Sequence, residues 1–332
     1  MLTRNAAEVV LLDEFCDPSY EVDDVRAELS AGLLRHPAQT SPKYLYDGLG
    51  SKLFEAICEL PEYYLTRTEA AIFEVHLHDI ARSVGRGCTL IDLGAGNCAK
   101  AARLFPALRP AQYVAIDISA EFLRDAIVRL RQRFPQVAML ELGLDFSSAL
   151  ELPQQVKREN RLFFYPGSSI GNFSPPDALE FLRRVCAESR NPTGVAGGLL
   201  IGVDLVKEKS VLDAAYDDEL GVTAAFNLNL LSHLNRVLGA DFKIRDWQHR
   251  AFFDVVHSRI EMHLVARRAL TVRWPGGERH FGQGETIHTE NSYKYTQSGF
   301  LALLEQAGFD RPQGWTDADR GFMLCHARAS GE

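Results

Sequence analysis

The 332-residue chain lacks the features that mark several classes of protein. Its six cysteines show no C-x-x-C spacing, so neither a zinc motif nor a disulfide framework is indicated. No apolar run approaches the roughly 18 residues of a membrane span, and the N-terminus lacks the basic-then-apolar pattern of a signal peptide. We therefore expect a cytoplasmic protein with reduced thiols, no metal and no membrane partner.

Clustered positive charge is missing as well. The chain has 36 Lys and Arg against 44 Asp and Glu, which gives a net charge of −8. A broad nucleic-acid surface needs clustered basic residues, so no nucleic-acid partner is expected. No internal repeat or low-complexity tract is present, and the length suffices for one large domain or two. We expect a monomer whose partner is a small molecule.

What the chain does have is a glycine-rich turn, in the stretch LIDLGAGNCAK that spans residues 90–100. A short β-prone run ends in this turn, and the turn opens into a predicted helix. Glycines let the backbone turn sharply and leave main-chain N–H groups open to a ligand. Gly94, Gly96 and Ala99 fit the G-x-G-x-x-A fingerprint, which alone is a weak match. The turn predicts a nucleotide-type ligand but leaves open which one.

Strand-like and helix-like runs alternate from residue 88 to residue 204. Helix-like runs lie between the strands, for example 177–186, which follows a capping Ser174. This alternation predicts a parallel, doubly wound α/β sheet of Rossmann type, with the ligand across the carboxyl ends of the strands. An apolar run at 322–327 predicts a closing antiparallel strand. The predicted parallel strands are 89–93, 113–116, 137–142, 162–165 and 199–203.

The ends of the first three strands discriminate between two nucleotide ligands. Asp92 lies two residues before the first glycine, Asp117 ends the second strand, and Asp145-Phe146 follows the third. An acid at the end of the second strand suits ribose hydroxyls, and an acid-aromatic pair after the third suits the amino group and the face of an adenine. A nicotinamide dehydrogenase would need a hydride-handling His or Lys, and the sequence offers no distinctive one. The pattern favours S-adenosylmethionine.

The rest of the chain predicts a second, α+β domain that binds the substrate. A helix is predicted over 67–84, because Thr66 and Glu69 have capping-box spacing and an apolar periodicity follows. The predicted domains are 67–204 with 294–330 for the methyl donor, and 8–66 with 205–293 for the substrate.

Two predictions concern histidines. Period-two alternation over 258–266 predicts a strand with His263 on its solvent face. His257 and His288 have no partner spacing typical of metal ligands.

Several long motifs lie outside the donor-binding pattern described so far. They are LPEYYLTRTE at 60–69, PGSSIGN at 166–172, DLVK at 204–207, AYDD at 215–218, GVTAAFN at 221–227, RIEM at 259–262 and TENSYK at 289–294. None is generic to methyltransferases, and through them the chain resembles the histidine Nα-methyltransferases of ergothioneine biosynthesis from about residue 25 to its end. The resemblance implies a class I fold and trimethylation of the α-amino group of L-histidine to hercynine by S-adenosylmethionine.

The resemblance also implies site residues by position. Together with Gly96 of the turn, the implied donor contacts are Gly94, Lys100, Asp117, Asp145 and Phe146. The implied amino-acid contacts are Tyr46, Tyr63, Gly167, Asn172, Tyr216, Met262, Glu290 and Ser292.

Glu290 and Ser292 lie two apart on a strand-like run, so both side chains face the same side. A carboxylate and a hydroxyl on one face can receive an imidazole N–H, although a surface strand with outward polar residues gives the same pattern. Asn172 and Tyr216 are placed to hold the α-carboxylate, and Met262 is an apolar wall or a core residue.

We hypothesise that Tyr46, with Asn172 or a water, orients the amine and helps it lose protons. The alternative is a tyrosine that only ties down its loop.

Two other functions stay open at this point. One is the same chemistry on another amino acid or an amino-acid-derived alkaloid. The polar pair Glu290 and Ser292 argues against a substrate with a purely apolar side chain. The other is a nucleotide-binding regulatory protein without turnover. A gain of mass by an amino acid incubated with S-adenosylmethionine separates the enzyme from the regulator.

Overall fold

A computed structural model describes residues 18–118, 120–147, 149–191, 195 and 197–330. Residues 8–17, with which the predicted substrate domain begins, lie outside this part of the chain, and so does Cys16. The helices are α1 (Pro18–Leu34), α2 (Gly48–Cys58), α3 (Tyr64–Val84), α4 (Ala99–Ala102), α5 (Phe105–Leu108), α6 (Ala120–Arg133), α7 (Pro175–Ser189), α8 (Lys209–Tyr216), α9 (Val222–Leu238) and α10 (Gln297–Gln306). The strands are β1 (Ala38–Gln39), β2 (Thr89–Leu93), β3 (Gln112–Asp117), β4 (Ala138–Gly143), β5 (Arg161–Tyr165), β6 (Gly198–Asp204), β7 (Trp247–Asp254), β8 (Arg259–Ala266), β9 (Leu270–Trp274), β10 (Gly277–Phe281), β11 (Thr286–Tyr293), β12 (Phe309–Thr316) and β13 (Phe322–Ala329).

A seven-stranded sheet of order β12-β13-β6-β5-β2-β3-β4 forms the larger layer. Its five strands from β6 to β4 are parallel, and β13 runs antiparallel to both of its neighbours. The five parallel strands predicted from the sequence are confirmed to within one residue at each end. Strand order reverses between β2 and β5, and such a switch point opens a ligand crevice at the carboxyl ends.

The two faces of this sheet are covered by separate apolar clusters. Strands β2, β5 and β6 are buried along their whole length, as expected of parallel strands with helices on both faces. Ile91 and Phe163 belong to one cluster, whereas Leu90 and Phe164 belong to the other. The second cluster continues into the core around Met262, so the smaller sheet shares a core with one face of the larger one.

The smaller, four-stranded sheet has the order β1-β11-β8-β7, with β9 and β10 as a separate ribbon. The predicted strand at 258–266 is confirmed as β8, which pairs antiparallel with both β7 and β11. The register of β11 shifts between His288 and Glu290, and this irregularity sets Glu290 opposite Met262. The strands β1, β7 and β12 and the helix α2 were not predicted from the sequence.

Helix α3 begins earlier than the sequence predicts, at Tyr64, with Tyr63 at the N-cap and no side-chain cap. The prediction that Thr66 caps this helix is therefore wrong. The guanidinium of Arg67 donates to the carbonyls of Leu60 and Pro61 at 2.7 and 2.6 Å, which fixes the preceding turn. A turn held in this way lets the helix begin without a capping hydroxyl.

The helix predicted after the glycine turn is short. Helix α4 has four residues, and after a break α5 adds four more. Pro106 explains the break, because it has no N–H to bond the carbonyl of Ala102. A helix of one turn has little macrodipole, so the turn itself and the adjoining strand ends must provide most of the ligand contacts.

Two findings bear on the composition. The five cysteines in the described part of the chain are free thiols, as predicted. In the ranges that the structure covers, no helix combines the length and the apolar character needed to cross a membrane.

Candidate active site

The glycine turn packs onto the end of β3. Gly94 and Gly96 both have positive φ, at 70° and 51°, which glycine adopts without strain. The N–H groups of Gly94 and Ala95 donate to the carbonyl of Ile116 at 2.9 and 3.0 Å. The N–H of Gly96 donates to the carboxylate of Asp117 at 2.9 Å. The predicted partners Gly94, Gly96 and Asp117 are thus brought together at the switch point.

Asp92 lies beneath this turn and is 2% exposed. It accepts a hydrogen bond from the Tyr113 hydroxyl at 2.7 Å. Burial raises the pKa of its carboxyl to about 7. Asp92 therefore contacts the neighbouring strand β3 from within the sheet.

Asp145 and Phe146 border the same crevice. The ring of Phe146 lies over the turn, since a Cβ at Gly94 would be 3.9 Å from its Cζ. Lys43, from the 3₁₀ helix Pro42–Leu45, reaches the Asp145 carboxylate at 3.3 Å. Burial raises the pKa of Asp145, but hydrogen bonds from Ser147 and the charge of Lys43 outweigh it and lower the pKa overall. An ionised acceptor beside an aromatic face suits an adenine.

Lys100 is held by a buried carboxylate that the sequence analysis assigned to a helix cap. Glu69 is 1% exposed, and it accepts from Lys100 Nζ at 2.7 Å and from the Gly167 N–H at 2.8 Å. Glu69 thus ties the lysine after the first strand to the loop after β5. This carboxylate sets the position of two residues that were predicted to contact ligands.

A methyl group at residue 202 is expected to disturb this arrangement. A Cβ built on Gly202 would lie 2.3 Å from Glu69 Oε1 and 3.2 Å from the Gly167 nitrogen. Gly202→Ala should therefore lower the free energy of unfolding by about 1–3 kcal/mol and weaken binding of S-adenosylhomocysteine. Thermal unfolding and calorimetry measure the two effects. Gly48→Ala is the control, because no atom lies within 4 Å of its Cβ; equal behaviour of the two variants would contradict the assignment.

One cavity gathers all eight side chains and backbone positions predicted to contact the amino acid. Its walls come from the turn before α2, from α2, from the N-cap of α3, from α8 and α9, from the loop after β5, and from β8 and β11. The cavity therefore lies between the larger sheet and the smaller one. The residues that line it are Tyr46, Phe54, Ile57, Tyr63, Gly167, Ser168, Ser169, Asn172, Ala215, Tyr216, Thr223, Phe226, Met262, Glu290 and Ser292.

Glu290 is the carboxylate in this cavity. It is 8% exposed, and its Oε2 has no hydrogen-bond partner within the described residues. Burial raises the pKa of this carboxyl to about 7, and the charge of Lys294 acts in the opposite direction. A buried acceptor without a partner is costly, so this oxygen favours a ligand that donates a hydrogen.

Tyr46 and Tyr63 form an aromatic wall with two phenylalanines. The Tyr46 ring lies 5.5 Å from Phe54 and 5.4 Å from Phe226, and Tyr63 lies 6.1 Å from Tyr216. Burial raises the pKa of Tyr46 well above its usual value. Tyr46 therefore keeps its proton at neutral pH and can act as a hydroxyl but not as a phenolate.

A histidine pair lies on the face of β8 and β11 opposite Met262. His263 is 12% exposed at its side chain and bonds the Glu261 carboxylate at 2.9 Å, while its ring stacks on His288 with centroids 4.7 Å apart. The prediction that His263 faces solvent is wrong, because β11 brings His288 over it.

Along the chain His288 has no partner spacing typical of metal ligands, but the fold brings it close to two other possible ligand side chains. Possible ligand atoms of Glu261, His263 and His288 lie within 4.8 Å of one another. Strand pairing creates this proximity, which spacing along the chain does not reveal. Arg259 pairs with Glu261, and the imidazole rings of His263 and His288 lie nearly parallel, at 19° to each other. The group forms a hydrogen-bonded stack.

Sequence reasoning missed part of the cavity wall. Phe54 and Phe226 lie on amphipathic helices, where periodicity does not separate a pocket wall from core packing. Thr223 and Phe226 belong to the motif at 221–227, one of those that carry the family resemblance. That motif was the sequence feature from which these two wall residues could have been predicted.

This sheet, with a glycine turn and acids at successive strand ends, is that of a class I, Rossmann-like methyltransferase that uses S-adenosylmethionine. The chain belongs to the family of histidine-specific, S-adenosylmethionine-dependent methyltransferases, whose family model matches residues 25–329. It is 38% identical to a histidine N-alpha-methyltransferase of Mycolicibacterium smegmatis over 91% of this chain and 94% of that one. Identity to the Mycobacterium tuberculosis protein of the same name is 36%, over 91% and 94% of the two chains.

One of the solved structures similar to this chain has low sequence identity to it. A Burkholderia thailandensis 1,6-didemethyltoxoflavin-N1-methyltransferase is 14% identical with a TM-score of 0.40, and the match covers 97% of this chain and 94% of that one.

Proposed function

We propose that this protein transfers methyl groups from S-adenosylmethionine to the α-amino nitrogen of L-histidine. Three transfers give Nα,Nα,Nα-trimethylhistidine, which is hercynine. The observation that carries the proposal is the cavity in which Glu290 and Ser292 lie together with Tyr46 and Asn172. Family membership and the two relatives named for this activity support the same substrate.

The donor site fits S-adenosylmethionine. Asp117 would hold the ribose, Asp145 and Phe146 the adenine, and Lys100 the carboxylate of the methionine part. The donor supplies a methyl group on a positively charged sulfur. Before each transfer the ammonium loses one proton to solvent, and an N–C bond then forms as the S–C bond breaks. The main task of the protein is to place a neutral amine in line with the methyl carbon.

The cavity is suited to select histidine by its side chain. The imidazole N–H donates to Glu290. Ser292, on the same face of the strand, bonds either the imidazole ring or the adjacent Tyr216 hydroxyl. Asn172 and Tyr216 hold the α-carboxylate, and Met262 closes the apolar side. An amino acid without a side-chain N–H leaves the Glu290 carboxylate unpaired, which is costly in a buried site.

Tyr46 is proposed to orient the amine through its hydroxyl, with Asn172. Tyr46→Phe is expected to lower the rate of at least one methylation step about 10- to 100-fold, since positioned hydroxyls contribute on that scale. Single-turnover experiments starting from histidine, monomethylhistidine and dimethylhistidine separate the three steps. Tyr293→Phe is the control, because this hydroxyl bonds Arg259 on the opposite face of β11. Three unchanged rates for Tyr46→Phe would remove the role.

A panel of amino acids tests the proposed function. The protein is incubated with S-adenosylmethionine and each amino acid, and products are weighed by mass spectrometry. Histidine should gain the mass of three CH₂ units, and leucine or phenylalanine should gain none. Methylation of another amino acid in preference to histidine would overturn the substrate assignment.

Further properties are part of the same proposal. We infer a cytoplasmic monomer that binds no nucleic acid, consistent with its net charge of −8. We also propose the division into a donor domain, 67–204 with 294–330, and a substrate domain, 8–66 with 205–293. Limited proteolysis tests the division into domains, and light scattering tests the monomeric state.

A further inference from the structure

A buried lysine, Lys294, lies directly behind the cavity. Sequence spacing gave it no role, and the mechanism proposed above does not include it. The side chains of Lys294 and Asp204 are both 0% exposed, and Lys294 Nζ lies 2.9 Å from Asp204 Oδ2. An ammonium in such a place is costly unless it is fully paired. Its other partners are therefore informative.

Lys294 uses its remaining hydrogens on two hydroxyls of the cavity wall. Nζ donates to Tyr216 at 3.0 Å and to Ser292 at 2.9 Å. With Asp204, these bonds account for the three hydrogens of the ammonium. Burial lowers the pKa of Lys294, but Asp204 and Tyr216 outweigh it, so the pKa is raised overall and the group stays charged.

The hydrogens of the two hydroxyls can then be counted. Because the ammonium only donates, Tyr216 and Ser292 must each accept from it. The two hydroxyl oxygens also lie 2.9 Å apart, so one of the two donates to the other. One hydroxyl hydrogen remains that these contacts do not use, and an accepting ligand atom in the cavity can take it.

Two ammonium groups, Lys294 and Lys207, share the carboxylate of Asp204 behind this pair. The carboxyl groups of Glu290 and Asp317 also interact electrostatically with Lys294 and Lys207, respectively. The spare hydroxyl hydrogen is therefore the feature that a ligand carboxylate near Tyr216 complements.

We propose that Lys294 is a positioning residue that fixes the Tyr216–Ser292 hydroxyl pair as a single hydrogen donor and selects substrates with a carboxylate. This inference rests on the proposed function in so far as Tyr216 and Ser292 contact the amino acid. Lys294 does not touch the reacting atoms and acts through these two hydroxyls.

Lys294→Met tests the inference, with Lys207→Met as the matched control. Each variant removes one ammonium from Asp204. The contacts of Lys207, however, are Asp204, the Tyr64 hydroxyl and the Leu205 carbonyl, and none of these three residues lines the cavity. Lys294→Met should raise the histidine KM about 10- to 100-fold, which is the range for lost charge-assisted hydrogen bonds, with unchanged binding of S-adenosylhomocysteine. Lys207→Met should change that KM less than about threefold, because it removes no contact to a residue of the cavity wall.

The test includes two readouts that a purely structural role would not move. Wild type should prefer histidine to histidinamide, which lacks the carboxylate, and Lys294→Met should lose most of that preference. In a Tyr216→Phe/Ser292→Ala background, Lys294→Met should have little further effect on KM, because the hydroxyls through which it acts are gone.

Three results would overturn the inference: an equal KM increase in both backgrounds, an unchanged preference for the carboxylate, or an equal effect of Lys207→Met. If Lys294→Met does not fold, Lys294→Met/Asp204→Asn removes both buried charges together and takes its place in the same cycle. If wild type methylates a different amino acid, the proposed function fails, and the cycle run with that amino acid and its amide still decides the role of Lys294.

Discussion

Replacing Glu290 by alanine is expected to raise the KM for histidine about 100-fold while leaving binding of S-adenosylhomocysteine unchanged. The physical reason is the loss of a buried, charge-assisted hydrogen bond to the imidazole, which contributes about 1.5–3 kcal/mol, together with the loss of shape at that wall. Glu290 lies in the cavity at 8% exposure, and no described residue bonds its Oε2, which leaves this oxygen for a donor on the ligand.

The same variant should also relax selectivity towards apolar amino acids. In wild type, a leucine side chain would leave the carboxylate of Glu290 buried and unpaired, and the alanine variant removes that penalty. Competition between histidine and leucine for methylation measures the ratio of kcat/KM values. Asn291→Ala is the matched control, because this side chain lies on the same strand and outside the cavity. An alanine variant with wild-type selectivity would show that Glu290 does not read the side chain.

Replacing Asp117 by alanine should weaken binding of S-adenosylmethionine about 100-fold. The carboxylate ends β3 and accepts the Gly96 N–H at 2.9 Å, so its removal loses the hydrogen bond that holds the turn as well as the proposed contact to the ribose. One or two hydrogen bonds to a charged group account for a loss of this size. Isothermal calorimetry with S-adenosylmethionine or its product gives the dissociation constants directly.

Asp125→Ala is the control for charge, because Asp125 is an exposed carboxylate on α6, the helix that follows β3. It should bind the donor as wild type does. Equal affinities of the Asp117 and Asp125 variants would place the ribose elsewhere. The histidine KM of Asp117→Ala at saturating donor should stay close to wild type, since Asp117 does not line the amino-acid cavity.

The sequence predicts the larger sheet well because its signals are local. Fully buried parallel strands such as β2 and β5 are short apolar runs bounded by turns, and their carboxyl ends must meet at one edge. The grouping of Asp117 and Phe146 near the glycine turn follows from that rule. The same rule does not reach the smaller sheet, whose edge strands β1 and β7 are short or of mixed burial.

The residues that line the cavity could be predicted mainly from the family resemblance. Glu290 and Ser292 share a face by simple alternation, but alternation alone does not say whether that face is buried. The roles of Glu69 and Lys294 could not be predicted, because each depends on partners far away in the chain. Glu69 bonds Lys100 and Gly167, and its spacing to Thr66 suggests a helix cap that the structure does not form.

The histidine stack shows the same limit. His263 and His288 are joined by the register of β8 and β11, and that register includes an irregularity next to Glu290. A one-residue change in the register of a strand reverses which side chains face the cavity. Local patterns cannot locate such an irregularity, so pairings across strands require the structure.

The most direct test of the account is a crystal structure of the protein with S-adenosylhomocysteine and histidine. The account predicts a Glu290 oxygen within about 3.2 Å of an imidazole nitrogen, Asn172 in contact with the amino acid, and the α-amino nitrogen facing the sulfur. Histidine bound with its ring away from Glu290, or with its amine turned from the sulfur, would contradict it.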